Sequence, residues 1–375
     1  MAASKMMLMA SLTHCRPLTC AATATARLVP RPPDLIKWVR REGGFIHRGV
    51  KILPNGAHGL GLVACEEMSK GSLLIALPAH ELWAMKLGLK LLQERAKIGS
   101  FWWPYISNLP ETYNVPIFFS GDDIKNLQYA PLLSQVNKRC RFLLDFEQEV
   151  KHALHGLKSD NHPFEGQDID ASGLGWAIWL DIDTPMMLPL IDMCNHSFNP
   201  NAQIVQEQDV KNENMLIKVV AQVPIKENDS ILINYGCLSN DLFLLDYGFV
   251  VTIGGEELVE RRLLAALRVL LANDVEMVQR HDLNTLQSLA ANAPLGTEIE
   301  ASAFRTIIAL CVIALGHFPT KIMEDESLIK RGVSASIELA IQFRIQKKSV
   351  IIDVMRELSR RLKSLLSKNT SAAQS

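Results

Sequence analysis

The sequence predicts an α+β fold, in which a β-rich core is split by a helical insert and followed by an all-helical C-terminal domain. Three observations carry this. Short apolar runs separated by turn residues fill 45–80 and return between 186 and 236, and both stretches read as strands. Between them, over about 81–175, apolar residues recur at helical spacing. After Gly254-Gly255 the helical pattern resumes and persists almost to the end.

Taken in order, Val50–Leu53 reads as a strand, Pro54-Asn55-Gly56 as a turn and Gly61–Cys65 as the next strand. The Lys70-Gly71 turn leads into Leu73–Leu77, and Pro78 ends that strand because it cannot donate to a ladder. From Glu81 a helix is expected. Leu87, Leu89, Leu91 and Leu92 mix with Lys86, Lys90, Glu94 and Arg95, and Gly99 closes it. The mostly helical insert then runs to about Gly175. Leu258, Leu263, Leu264, Leu267, Leu270 and Leu271 mark a helix after the glycine pair, and a long amphipathic helix is expected over about 334–367. The resulting division is a leader at 1–33, a β-rich core at 45–252, a helical domain at 256–367 and a polar tail at 368–375. No internal repeat is visible.

Composition narrows the function classes. Apolar residues make up 48% of the 375, enough for a sizeable core. The formal net charge of −1 argues against a nucleic-acid partner held by a broad basic surface. Cys15, Cys20, Cys65, Cys140, Cys194, Cys237 and Cys311 form no C-x-x-C pair, so neither a zinc site nor a disulfide framework is expected, and no metal is assigned. No apolar run reaches the roughly 20 residues of a membrane span, so no membrane partner is expected. Residues 1–33 contain no Asp or Glu, are rich in Ser, Thr and Ala, and carry Arg16, Arg27 and Arg31. That composition fits an organelle transit peptide, or a disordered tail without an address.

Two segments concentrate the chemistry. Leu190-Ile191-Asp192-Met193-Cys194-Asn195-His196-Ser197 and Ile231-Leu232-Ile233-Asn234-Tyr235-Gly236 are apolar, strand-like runs that end in polar groups able to hold a small polar ligand. Each has a bland alternative: Asn-His-Ser before Phe198-Asn199-Pro200 also makes a turn, and a tyrosine at a strand end is often packing. Gly59-Leu60-Gly61-Leu62-Val63-Ala64 fits the dinucleotide fingerprint G-x-G-x-x-A, but that fingerprint needs a helix opening at its glycines. Here Val63, Cys65 and the Lys70-Gly71 turn point to a strand, and no alternating βαβ series follows.

The glycine turn, the Asn-His-Ser segment and the Tyr-Gly segment, in that order, resemble the signature of SET-domain protein lysine methyltransferases. The wider chain, from about 45 to 365, resembles the plant Rubisco large-subunit methyltransferase family. Phe101-Trp102-Trp103-Pro104-Tyr105-Ile106-Ser107-Asn108-Leu109-Pro110, Leu127-Gln128-Tyr129-Ala130-Pro131-Leu132-Leu133, and Ala340-Ile341-Gln342-Phe343-Arg344 with Lys347-Lys348 match that family's segments. The resemblance implies a SET core with an inserted helical region and a C-terminal substrate-binding domain.

It also implies roles. S-adenosylmethionine would be held by His58, Gly59, Leu60, Asn195, His196 and Tyr235, with Phe249 stacked on the adenine. Tyr235 would be the main catalytic residue and Tyr247 a supporting one that also touches substrate, with Asp192 as a further substrate contact. The implied reaction is methylation of a lysine on a soluble, non-histone protein by a monomeric enzyme. Candidate substrates are the Rubisco large subunit and fructose-bisphosphate aldolase, although some related proteins methylate histidine. The implied compartment is the chloroplast, with the mitochondrion as alternative. His58 stands where the family often has Glu.

The chain departs from the family at one further place. Family members usually carry Ser-Arg after the Trp-Ala that precedes the Asn-His segment, and that Arg binds the cofactor carboxylate. Trp176-Ala177 is followed instead by Ile178-Trp179-Leu180-Asp181-Ile182-Asp183-Thr184-Pro185, and no Arg or Lys lies between Lys158 and Lys211. A charge-assisted bidentate partner is therefore missing from the expected position. This sustains a second expectation, a catalytically weak SET-like protein that binds a partner through its helical C-terminal domain. The basic residues Arg344, Lys347, Lys348, Arg356, Arg360 and Arg361 would then face an acidic protein surface, or simply solvent.

Overall fold

The computed structural model describes residues 34–54, 60–78, 84–156, 162–178, 188–208, 215–236, 238–251, 261–289 and 293–372. These form two compact units. The first takes the described residues up to Ser120, then Ser134–Phe249 and Ser334–Ser336. The second takes Gly121–Leu133, the described residues from Val250 to Val333, and those from Ile337 onward. Part of the insert thus belongs with the C-terminal helices.

The first unit opens with helix α1 (Leu35–Arg41), capped by Asp34, whose side chain accepts from the Lys37 amide at 3.1 Å. Strands β1 (Phe45–Ile46), β2 (Val50–Pro54), β3 (Leu60–Ala64) and β4 (Leu73–Pro78) follow where the apolar runs predict them. Helix α2 (Ala84–Ala96) ends three residues before Gly99. Helix α3 (Trp103–Ile106) has Pro104 in its first turn, where the missing amide costs nothing. Helices α4 (Ala130–Leu154) and α5 (Ala171–Ile178) complete the insert. Gly88 lets α2 lie against α5, because a Cβ there would come within 2.9 Å of Ile178 Cγ1.

The second β region departs from expectation. The apolar run at 190–194 is not a strand: Ile191–Met193 is a 3-10 turn, and strand β5 is only Asn195–His196. Likewise only Leu232–Ile233 of its partner segment is strand. Continuous apolar character here reflects burial of Leu190, Ile191, Cys194 and Ile231 in the core, which needs no extended backbone. Between the two lie β6 (Ala202–Gln208) and β7 (Met215–Ala221), and β8 is Leu232–Ile233.

The larger sheet is antiparallel, in the order β1-β4-β7-β6, with a bulge between Leu73 and Ile75. β2 and β3 pair as a hairpin, and β5 and β8 pair in parallel. Leu62, Leu74, Ile75, Ile106, Leu174, Leu190, Val219 and Ile231 are in the core that joins these layers. Helix α6 (Asn240–Leu242), capped by Ser239, runs into a π-helical turn at Phe243–Tyr247.

The second unit is helical: α7 (Arg261–Leu271), α8 (Val275–Gln279), α9 (Leu283–Gln287), α10 (Thr297–Gly316), α11 (Ile322–Lys330) and α12 (Ala335–Ala372). The last helix continues through much of the expected polar tail. Two buried charge clusters tie these helices together. Arg268 reaches Glu300 at 2.8 and 2.6 Å and also donates to the Leu286 and Ser288 carbonyls. Arg344 reaches Asp325 at 2.9 Å and the Asn126 carbonyl at 2.6 Å, while Lys348 pairs with the same Asp325. Burial pushes the Asp325 carboxyl up, and its bonds to Arg344 and Lys348 more than reverse that. Arg344 and Lys348 are 1% and 3% exposed, so these two leave the expected basic face and serve the core instead.

Helix α10 is long and apolar enough to cross a membrane by length and composition. One face of it, with Ala303, Phe304 and Ile307, is buried in the helical unit.

Candidate active site

The site is built where β5 meets β8. Asn195 pairs with Leu232 and His196 with Ile233. Asn201 clamps the junction, since its Oδ1 accepts from the Leu232 amide at 2.8 Å and its Nδ2 donates to the Ser230 carbonyl at 2.8 Å. The Ser197 amide adds a bond to the Ile233 carbonyl at 2.9 Å. β3 joins from the other side: the Ile231 amide donates to the Leu62 carbonyl at 2.8 Å, and the Ala64 amide to the Asp229 carbonyl at 2.8 Å. The three segments singled out in the sequence are thus one hydrogen-bonded unit. Leu60, half-buried, starts β3. His58 and Gly59 lie outside the described residues, as do Asp181 and Asp183.

His196 is held in one protonation form. The Tyr235 amide donates to its Nδ1 at 3.1 Å, so Nδ1 is the acceptor and the ring proton sits on Nε2. Burial lowers the pKa of the imidazole and favours that neutral form. Nε2 is itself buried without a hydrogen-bond partner, and so is Asn195 Nδ2. Neighbouring side chains thus present two unsatisfied donors, an arrangement that costs about 1–3 kcal/mol each unless a ligand accepts them.

Tyr235 is fixed at both ends. Its amide holds His196, and its hydroxyl donates to the Cys194 carbonyl at 2.6 Å. Burial, with the nearby Cys194 and Asp192, raises the phenol pKa, so the hydroxyl stays protonated. Its ring lies 4.7 Å from that of Tyr247, centroid to centroid. Phe249 lies 6.0 Å from both Tyr247 and His196, nearly parallel to the latter. The four predicted aromatic or imidazole residues therefore meet in one cluster. Phe243, 4.6 Å from His196 and 5.1 Å from Phe249, backs it and was not foreseen.

The π-helical turn aims this cluster. It ends at Gly248, with φ +71°, where a Cβ would come within 2.4 Å of the Asn114 carbonyl oxygen. Asp246 in the same turn is anchored by Arg139.

Asp192 lies on the 3-10 turn and is exposed. Leu190, fully buried, holds φ +75° just before it, a strained backbone for a branched residue. The Tyr105 hydroxyl donates to Asp192 Oδ2, which fixes the carboxylate from the insert. Tyr113 brings a second phenol close: its hydroxyl is buried without a partner, and burial followed by the charge of Asp192 raises its pKa. Nothing in the sequence but its aromatic run signalled Tyr105. Among the described residues of this region, Arg95 lies 4.4 Å over the ring of Trp176. No group of three or more His, Cys, Asp or Glu suited to a metal occurs among the described residues.

Comparison with known proteins agrees with this architecture. Residues 59–236 match the SET domain model, and residues 224–351 match the Rubisco LSMT substrate-binding model. The chain therefore has the two-part design of a SET protein with an appended helical substrate-binding domain. Residues 59–236 are thus of the SET-domain type, and residues 224–351 of the Rubisco LSMT substrate-binding type.

Among curated relatives, the actin-histidine N-methyltransferase of Plecturocebus moloch is 22% identical over 85% of this chain and 67% of its own length. The Homo sapiens protein of that name is 25% identical over 58% of this chain and 42% of its own length. Among solved structures, the SET domain of LSMT bound to lysine and AdoHcy superposes with a TM-score of 0.61 at 18% identity, covering 88% of this chain and 91% of that one. Rubisco LSMT bound to AdoMet gives 0.61 at 16% identity over 88% and 92%. These likenesses establish the fold.

Proposed function

We propose that the chain is an S-adenosylmethionine-dependent protein-lysine N-methyltransferase acting on a soluble non-histone protein. The observation that carries the reading is the pair of buried, unpartnered donors, Asn195 Nδ2 and His196 Nε2, beside a tyrosine whose hydroxyl is pinned. Two unpartnered donors on consecutive strand residues, whose side chains leave opposite faces, suit the separate adenine and amino-acid ends of such a cofactor. Leu60 and Phe249 would add apolar and ring contacts.

When bound, S-adenosylmethionine supplies an electrophilic methyl group on a sulfonium. The protein's share is positional. A free lysine, with a pKa near 10.4, has to reach the site neutral. The apolar walls of Tyr235, Tyr247 and Phe249 desolvate an ammonium and so lower its pKa. The Tyr235 hydroxyl donates its hydrogen bond to the Cys194 carbonyl, which leaves its oxygen lone pairs free to accept from an amine or a polarised methyl. Holding the reacting atoms in line supplies much of the remaining rate. Asp192, fixed by Tyr105, offers a carboxylate to a cationic side chain.

Two alternatives have support. The curated relatives are named for histidine methylation, and an imidazole, already largely neutral at pH 7, needs less desolvation. The absence of any Arg or Lys between Lys158 and Lys211 favours a weakly catalytic binding protein. The acid-free stretch 1–33 supports a plastid address, with the mitochondrion second.

The test is transfer of labelled methyl from S-adenosylmethionine to purified Rubisco large subunit, aldolase and actin, with the modified residue located by mass spectrometry. Label on a lysine that disappears with Tyr235→Phe supports the proposal. Label on histidine overturns the lysine assignment, and no label on any soluble protein supports the binding-protein alternative.

A further inference from the structure

An open groove of about 530 Å³ runs along α12 on the helical unit, with α10 touching it at Leu315. Its floor is Leu315 from α10 with Ile352, Met355 and Ser359 from α12. Its rim is Arg356, Arg360 and Lys363. The α12 positions recur every three or four residues, so they form one stripe along the helix. Leu366, 42% exposed, continues that stripe. On α10, Val312 is one turn from Leu315 on the same side of the helix and is 54% exposed. Single exposed apolar residues are ordinary, but Val312 and Leu366 extend the apolar floor of a lined groove, and such a floor edged by charge suits an interaction surface. Every α12 residue of the groove lies beyond residue 351, where the match to the substrate-binding model ends.

The charge on the rim selects the occupant. From Ile352 to Lys363 the helix carries Arg356, Arg360, Arg361 and Lys363 against Asp353 and Glu357. Arg356 pairs with Asp353 at 3.0 Å, and Arg360 and Arg361 share Glu357 at 2.7 and 2.6 Å. These are exposed local pairs, worth little and easily exchanged for an incoming carboxylate. Over this stretch cations outnumber acids by two. The basic, acid-free stretch 1–33 of the same chain is a poor occupant on charge, and so is a second copy of α12.

We propose that this groove docks an acidic amphipathic helix of a partner protein. Apolar side chains at i, i+3/i+4 and i+7 would fill the floor, and flanking Glu or Asp would meet Arg356, Arg360 and Lys363. The stripe from Ile352 to Lys363 is about 16 Å long, enough for about three turns of the partner helix. The proposal does not depend on methyl transfer.

The test is fluorescence anisotropy of the full chain with a labelled helical peptide of about 14 residues, leucines on one face and glutamates flanking. Its controls are the same peptide with lysines for glutamates, and phosphatidylserine vesicles. The acidic peptide is expected to bind, to weaken with salt, and to lose about tenfold affinity or more with Arg356→Glu/Arg360→Glu/Lys363→Glu. Met355→Gln/Lys363→Glu, a milder pair, is expected to weaken it too, and keeps the test valid if the triple variant does not fold. S-adenosylmethionine titration of the same variants is expected to match the parent, which separates failure here from failure at the active site. No binding, equal binding of the lysine peptide, equal affinity for the vesicles, or indifference to a folded groove variant would each overturn the proposal.

Discussion

The Tyr235 amide donates to His196 Nδ1 at 3.1 Å, joining two segments 39 residues apart in the chain. That one bond sets the histidine tautomer, turns Nε2 into a donor and places the Tyr235 ring beside it. It makes the ligand-holding and the catalytic halves of the site mutually dependent.

Removing either unpartnered donor is expected to weaken cofactor binding without unfolding the chain. Asn195→Ala and His196→Ala each delete a donor that the fold leaves unsatisfied, so a loss of about 1.5–3 kcal/mol in affinity is expected for a bond to a charged group; melting temperature is expected to change little in Asn195→Ala and to fall in His196→Ala, which also loses the bond to the Tyr235 amide. Calorimetry alongside thermal melts checks both parts.

Tyr235→Phe removes the bond to the Cys194 carbonyl but keeps the ring and the amide. Turnover is expected to fall at least about tenfold through lost positioning, while cofactor affinity stays near that of the parent. Unchanged turnover would remove Tyr235 from the chemistry.

Tyr105→Phe removes the bond from the Tyr105 hydroxyl to Asp192. If Asp192 meets a cationic substrate, KM is expected to rise with kcat and cofactor affinity little changed. A fall in kcat at constant KM would place Asp192 in the transition state instead.

Gly248→Ala is expected to cost about 1–3 kcal/mol or more, since the residue sits at φ +71° and a methyl would strike the Asn114 carbonyl. Chemical denaturation measures it. A neutral effect would mean that the π-helical turn can relax.

The pH dependence has a fixed sign. Burial lowers the His196 pKa in the folded chain, so below the usual histidine value of about 6.5 the unfolded chain binds more protons. The contribution of neutral His196 is full above about pH 6.5 and is lost as pH falls from there toward the lower folded value. The melting-temperature drop between neutral and mildly acidic buffer is expected to shrink in His196→Gln. An unchanged drop would assign it to other groups.

Much of this was legible in the sequence because it rests on local signals. Gly61–Cys65, Leu73–Leu77 and the long last helix follow from turn residues and apolar period, and the structure shows them at nearly those bounds. Asn195, His196 and Tyr235 stood out as short motifs, Tyr247 and Phe249 were named through the family resemblance, and the structure brings the five together. What stayed hidden depends on tertiary context. The run at 190–194 looked like a strand because burial and strand formation leave the same apolar trace. Arg344 and Lys348 looked like surface charge because their partner, Asp325, lies 19 and 23 residues away. Tyr105 and Asn201 act through bonds to segments 87 and 31 residues distant, which no local pattern encodes.

The most direct measurement is calorimetric titration of S-adenosylmethionine into the purified full chain, repeated with Asn195→Ala and His196→Ala. The account predicts one-site binding to the parent and weakened binding to both variants, each of which still melts cooperatively. A cooperatively melting parent that releases no heat, or binding indifferent to both substitutions, would contradict it.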